Sequence, residues 1–321
     1  MAVYTNLSDG DLAELLADYD IGQAVSLKGI AEGVENSNYL LTTQQGKYIL
    51  TLYEKRVNPE DLPFFLHLME HLAAKGVSCP LPMPRRDGAL LSQAAGRPAA
   101  IISFLDGMSY RRPTVAHCRE MGIAMAELHL AGADFDMRRD NSLSVNSWPP
   151  LFEASRDRAD EIHPGLEQEI SSEMMRLQRD WPSGLPQGII HGDLFADNVF
   201  FLGDRLSGII DFYFACTDAL AYDLAIVLNA WCFEADVNFN ITKAQALFGG
   251  YQSVRKLSTA EIEALPVLAS GAAMRFLLTR LYDWFNHVEG ALVKPKNPLD
   301  YMRRLRFHNR AVAASDYGVD I

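Results

Sequence analysis

The spacing of hydrophobic positions changes near residue 105, and two kinds of local structure follow from it. Ser8, with Asp11 three residues on, resembles a capping box, and Leu12, Leu15 and Leu16 follow at helical spacing, so a short amphipathic helix opens the chain. Three β-prone stretches come next, at 24–30, 39–43 and 48–53. Gly33-Val34-Glu35-Asn36 and Gln44-Gln45-Gly46 separate them, which predicts an antiparallel meander. Between 59 and 75 the residues Leu62, Phe65, Leu66, Met69 and Leu72 follow a helical period, with Pro59 suited to the first turn and Gly76 to the stop. The stretch 79–84 carries three prolines and is excluded from a central strand. The segment 85–91, turning at Asp87-Gly88, and the apolar run 99–105 are expected to complete a sheet of about five strands. Beyond Gly107 helical periods dominate, near 113–131, 151–161, 165–180, 219–233, 242–255, 259–288 and 298–314, with short strands between 187 and 210. The fold class is therefore α+β, with a small antiparallel sheet lobe over 1–104 and a larger, mainly helical lobe over 105–321.

Composition removes several function classes. The 321 residues are 49% hydrophobic and 22% charged, an ordinary globular balance, and no repeat or low-complexity tract interrupts it. Net charge is −12, which opposes both a nucleic-acid backbone and an anionic membrane surface. The most apolar stretch, 219–233, is broken by Asp223 and Asn229, so no membrane span is expected. The first ten residues lack a basic and an apolar segment of secretory type, and a cytoplasmic location is the expectation. Cys79, Cys118, Cys216 and Cys232 are scattered and read as reduced, buried thiols. The oligomeric state stays open.

Candidate chemistry concentrates in Ile189-Ile190-His191-Gly192-Asp193-Leu194-Phe195-Ala196-Asp197-Asn198-Val199-Phe200-Phe201, a polar loop between two apolar β-prone runs. Phosphoryl transfer to an alcohol needs a carboxylate to orient and accept the hydroxyl proton, and oxygen ligands to hold Mg²⁺ on the triphosphate. Asp193 and Asn198 supply one of each. Ser207-Gly208-Ile209-Ile210-Asp211-Phe212 is a strand ending in a second carboxylate, of the kind a hard cation takes. Neither a Walker nor a Rossmann glycine pattern is present. His67 and His71 lie at i,i+4 but lack a third metal ligand, and the charged run 134–140 reads as a solvated loop.

With Ala221-Tyr222-Asp223-Leu224-Ala225 downstream, these motifs resemble the aminoglycoside phosphotransferase and choline kinase group of protein-kinase-like enzymes. Gly33 to Tyr39, Tyr48 to Glu54 and Asp211-Phe212-Tyr213-Phe214-Ala215-Cys216 narrow the likeness to the branch of that group whose acceptor is L-homoserine. The likeness spans nearly the whole chain and implies a bilobal kinase-like fold with ATP and Mg²⁺ between the lobes. It implies Asp193 as catalytic base, Asn198 and Asp211 as Mg²⁺ ligands, and His191 and Asp223 as supports of the catalytic loop. It further implies nucleotide contacts from Gly33, Asn36, Ser37 and Asn38 in a phosphate-covering loop, and from the backbone between Ser103 and Leu105 at the hinge.

One position departs from most kinase-like enzymes: Thr51 stands where a strand lysine or arginine usually holds the phosphates, with Lys47, Lys55 and Arg56 as nearby candidates to replace it. For the acceptor, an amino-acid alcohol calls for a cation on its carboxylate, preferably arginine. Arg275 and Arg280 on the apolar segment 272–284 are the candidates, Arg280 with Asp283 being readable instead as an internal ion pair; Tyr213 and Asp218 are secondary ones. Two alternatives remain, a kinase for choline, methylthioribose or an aminoglycoside, and a nucleotide-binding pseudokinase.

Overall fold

The computed structural model describes residues 5–30, 36–54, 57–287 and 295–319. Helix α1, Asp9–Leu16, begins at the expected capping box: Ser8 Oγ accepts from the Asp11 N–H at 3.1 Å and the Asp11 carboxylate accepts from the Ser8 N–H at 2.9 Å. Strands β1 Ala24–Gly29, β2 Ser37–Thr43, β3 Lys47–Leu52, β4 Ser92–Ala94 and β5 Arg97–Ser103 form one antiparallel sheet in the order β1-β2-β3-β5-β4. Helix α2, Leu62–Ala74, lies between β3 and β4 in the chain. One apolar core joins α1 to the sheet through Leu12, Leu15, Leu41, Leu50 and Ile101. The other face of the sheet, with Ala100 and Ile102, packs into a second core shared with α2.

The fifth strand is not where the sequence suggests. Arg85 makes only an isolated bridge with Tyr19, and Asp87-Gly88 closes a local turn through Gly88 N–H to Arg85 O, so 85–91 is not a strand. Three residues of β4 take the place instead. The proline-rich stretch borders β5, with Met83 N–H donating to Ile101 O and Ser103 N–H to Leu81 O, both at 2.8 Å. Proline tolerates such an edge because the missing N–H is not required inward.

The remaining elements are α3 Val115–Ala131, α4 Trp148–Glu153, α5 Ala159–Ile162, α6 Leu166–Asp180, β6 Gln187–Ile190, β7 Val199–Leu202, β8 Arg205–Ile209, β9 Cys216–Ala219, α7 Leu220–Trp231, α8 Ile241–Val254, α9 Thr259–Asn286 and α10 Leu299–His308. β6 pairs with β9 and β7 with β8, both antiparallel. The expected helix over 151–161 is two short helices, because the backbone leaves the helical region at Ser155. The last expected helix stops at His308, and Ala314–Tyr317 forms a separate single turn. Strand β9 was not expected, since Cys-Thr-Asp-Ala has no strand period and forms by pairing with β6. α9, not 219–233, is the helix long and apolar enough to cross a membrane, but 78% of its most apolar window is buried in the second core, where α7 and α10 pack on it. That core runs through α2, α3, α7 and α9, so the change of period near 105 is not a boundary between cores.

Helices α3 and α8 meet backbone to backbone. A Cβ on Gly122 would lie 2.1 Å from Leu247 O, and one on Gly250 would lie 2.1 Å from Arg119 O. Gly250→Ala is therefore expected to destabilise the fold by about 2–3 kcal/mol, read as a lower urea midpoint at unchanged slope. An unchanged midpoint would mean that the helices separate at no cost.

Candidate active site

The loop after β6 is held in place by a buried carboxylate. Asp223, one turn into α7 and 0% exposed, accepts the backbone N–H of His191 and of Gly192, each at 2.9 Å. His129 of α3 lies 3.1 Å from the same carboxylate through Nε2, and its Nδ1 lies 2.8 Å from the Tyr251 hydroxyl. One proton arrangement satisfies every atom: Tyr251 O–H donates to Nδ1 and Nε2–H donates to Asp223. Burial pushes the Asp223 carboxyl up, but the hydrogen bonds it accepts from His129 and the His191 amide outweigh it and hold the group below its ordinary value. Gly192 has φ +76°, and a Cβ there would meet Phe214 O at 2.9 Å, so the residue after His191 has to be glycine.

His191 joins the loop to the next strand. Its Nε2 lies 3.0 Å from Ile210 O and its Nδ1 accepts the Asp193 N–H at 3.3 Å. Both ring nitrogens are thus occupied in the neutral form, which burial favours by lowering the imidazole pKa. The ring braces the loop and has no lone pair left for a general base. From below, Arg275 Nη1 donates to Gly192 O at 2.5 Å and Trp231 Nε1 donates to Leu194 O at 2.8 Å.

On this frame Asp193, Asn198 and Asp211 come together. Asn198 Nδ2 donates to Asp193 O at 2.8 Å and reaches the Asp193 carboxylate at 3.3 Å. Ile210 N–H donates to Asn198 O at 2.9 Å, which sets the end of β8 beside Asn198. Asp211 follows in the left-handed region, φ 66° and ψ 61°, a strained position for a non-glycine residue that turns it out of the strand into an exposed site. Asn198 spends its amide nitrogen on Asp193, leaving Oδ1 as its donor to a cation, and with the Asp211 carboxylate this is a hard-oxygen set suited to Mg²⁺.

The nucleotide side differs in detail from expectation. Gly33, Lys55 and Arg56 lie outside the described residues. Ser37 is fully buried and its hydroxyl donates to Glu54 at 2.7 Å; Asn36 Oδ1 accepts the Glu54 N–H at 3.3 Å; Asn38 Oδ1 accepts the Thr51 hydroxyl at 2.8 Å. These residues brace the ends of β2 and β3, with the Arg97 guanidinium 3.4 Å from Glu54. Lys47 stands over the Phe104 ring at 5.6 Å, at the hinge end of β3 and away from Thr51. Ser103 uses its N–H on Leu81 O, which removes that donor from the adenine contacts the resemblance implies. Leu105 lies against Gly208, where an added Cβ would come within 2.6 Å of its side chain, and Ser207 Oγ donates to Asp106 O at 2.8 Å; the hinge is thereby docked on β8.

The acceptor candidates also separate. Arg275 is 2% exposed and lies under the loop, not on the cleft wall. Arg280 sits beside α10, 3.6 Å from Asp300 and not in the i,i+3 pair with Asp283 that spacing allows. Tyr213 packs edge-on against Tyr53 and Phe65 with its hydroxyl 3.2 Å from that of Tyr53, and burial pushes its phenol up to about 12; it ties the loop after β8 to the sheet. The Asp218 carboxylate accepts the Ala219 N–H and the Asn141 side-chain amide, each at 2.7 Å. The charged run 134–140 is not merely solvated, because Arg139 bonds Asp61 at 2.8 Å and Ala215 O at 3.2 Å. His71 Nε2 lies 3.0 Å from Ala131 O and 3.1 Å from the Asp134 carboxylate, and His67 Nδ1 lies 3.4 Å from Glu70. Sequence reasoning missed His129, Tyr251, Trp231 and the loop-holding role of Arg275, and no local motif links them to residue 191.

Residues 26–257 match the family model described as "Phosphotransferase enzyme family". The chain is 61% identical over 319 residues to the homoserine kinase of Xanthobacter autotrophicus, covering 99% of each, and 60% identical over 320 residues to that of Brucella anthropi, covering 100% of this chain and 98% of the relative. Among solved structures it is similar to an amicoumacin kinase in complex with AMP-PNP and Ca²⁺, at TM-score 0.69 and 13% identity over 96% of this chain and 95% of that one. A microcompartment-associated aminopropanol kinase gives TM-score 0.69 at 19% identity over 97% and 99% of the two chains. These two share the bilobal fold.

Proposed function

This chain belongs to the phosphotransferase enzyme family, and from that premise we propose that it transfers the γ-phosphoryl group of ATP to the side-chain hydroxyl of L-homoserine. The product is O-phospho-L-homoserine, an intermediate of threonine biosynthesis. The observation that carries the acceptor is identity of about 60% over the full chain to homoserine kinases. Asp193 orients the acceptor hydroxyl and takes its proton as the bond to phosphorus forms. Asn198 and Asp211 would hold Mg²⁺, which neutralises phosphate charge when bound. His191, Arg275 and Asp223 keep the Asp193 backbone still, so that the carboxylate meets the hydroxyl in a prepared geometry. The nucleotide lies between a binding lobe, 1–104, and a catalytic lobe, 105–321, with its adenine at the chain beyond Ser103 and its phosphates under the segment that includes Gly33. The enzyme works in the cytoplasm, where the buried thiols Cys79, Cys118, Cys216 and Cys232 stay reduced. Neither nucleic acid nor a membrane is a partner.

The test is Mg²⁺-dependent ADP release from ATP with L-homoserine, beside L-serine, choline, methylthioribose and kanamycin. The expected result is a kcat/KM for L-homoserine at least about a hundredfold above any other acceptor. Turnover confined to another acceptor would replace homoserine and keep the phosphotransfer.

A further inference from the structure

Beside the catalytic loop lies more positive charge than the phosphoryl transfer assigned above uses. Arg280 of α9 and Arg304 of α10 place their guanidinium carbons 4.4 and 4.5 Å from the centroid of the Tyr301 ring. Tyr301 is fully buried and its hydroxyl has no hydrogen-bond partner among the described residues; Arg304 Nε is buried and equally unpartnered. Arg280 is compensated only in part, by the 37% exposed Asp300 at 3.6 Å and by the Asn297 carbonyl at 3.2 Å. The cluster is two rings from the catalytic loop: Phe195 packs edge-on against Phe276 at 4.9 Å, and Phe276 against Tyr301 at 5.3 Å. Burial raises the Tyr301 phenol, and the charges of Arg304 and Arg280 oppose that rise.

Two guanidinium groups standing over one ring and partly desolvated repel each other, and their hydration is lost without a full set of acceptors. An anion that both reach removes both penalties. A carboxylate fits best, because the planar guanidinium matches it with paired hydrogen bonds and a tyrosine hydroxyl can add a third. L-Homoserine carries its carboxylate at the opposite end from its hydroxyl, so Asp193 and this cluster would address the two ends of one molecule.

We propose that Arg304 and Arg280, with the Tyr301 hydroxyl, bind the carboxylate of the amino-acid acceptor and so select it over an alcohol that lacks one. This inference rests on the acceptor proposed above. The test compares wild type, Arg304→Met and Arg304→Lys with L-homoserine and with 3-aminopropan-1-ol, the same amino alcohol without the carboxylate. Arg304→Met should raise the KM for L-homoserine about 30-fold, the size of one lost charge-assisted pair, and Arg304→Lys should recover part of it. The KM for ATP, the thermal midpoint and turnover of 3-aminopropan-1-ol should stay as in wild type. An unchanged KM for L-homoserine, or an equal loss with both alcohols, would overturn the inference while leaving the reaction in place. A raised KM for ATP would overturn it too, by showing that the arginines hold nucleotide phosphate. Wild type that turns over other acceptors and not L-homoserine would overturn the acceptor itself.

Discussion

Asp193→Asn is expected to lower kcat about a thousandfold, the range of a lost general base, with little change in the KM for ATP or in the thermal midpoint. Asparagine keeps the size of the side chain and an oxygen able to accept from Asn198 Nδ2, now 3.3 Å from the carboxylate. The loop also keeps its shape, because it is held through backbone groups: Gly192 O by Arg275, and the His191 and Gly192 amides by Asp223. Only the capacity to take the hydroxyl proton disappears. Steady-state ADP release with L-homoserine measures the loss, and nucleotide titration checks that binding survives. A fall of less than about tenfold would remove Asp193 as the base and leave it an orienting role.

Asp223→Ala should cost about 4 kcal/mol of stability and more than a hundredfold in kcat together, because it strands three buried donors: the His191 amide, the Gly192 amide and His129 Nε2. Against a typical stability of about 5–15 kcal/mol this is a large fraction, so the variant should remain folded but melt well below wild type. The pH dependence gives a sharper criterion. The native carboxyl is held below its ordinary value of 3.8, because its hydrogen bonds outweigh the upward push of burial. A depressed carboxyl stabilises the fold fully above its unfolded pKa and loses that contribution as pH falls through the native one. Urea unfolding should therefore show the full gap between wild type and Asp223→Ala at pH 7, closing below a pH of about 4. A gap of the same size at pH 3 would exclude the ionised carboxylate as its source.

The parts of this molecule legible in the sequence are those whose partners are close in the chain. The Ser8–Asp11 capping box, the strands expected at 39–43 and 48–53 and found at 37–43 and 47–52, and the loop between β6 and β7 that carries Asp193 and Asn198 depend on spacing of a few residues. β9 and the division of 148–162 into two helices were not legible, because pairing with β6 in one case and a backbone turn at Ser155 in the other override local preference. The buried serine at 37 shows the same limit: the family resemblance implies a nucleotide contact there, and the fold gives its hydroxyl to Glu54.

Residue type and spacing by themselves determined that a carboxylate, an amide and a second carboxylate stand at the ends of short strands, and the family resemblance those motifs carry implied the class of chemistry. Tertiary structure alone decided which charges serve that chemistry and which serve the frame. Arg275 and Arg280 share the apolar helix α9 and Arg304 sits on the polar helix α10, yet Arg275 lies under Gly192 while Arg280 and Arg304 both stand over the Tyr301 ring. Arg275 takes its role from the Gly192 carbonyl, 2.5 Å away in space and 83 positions away in the chain.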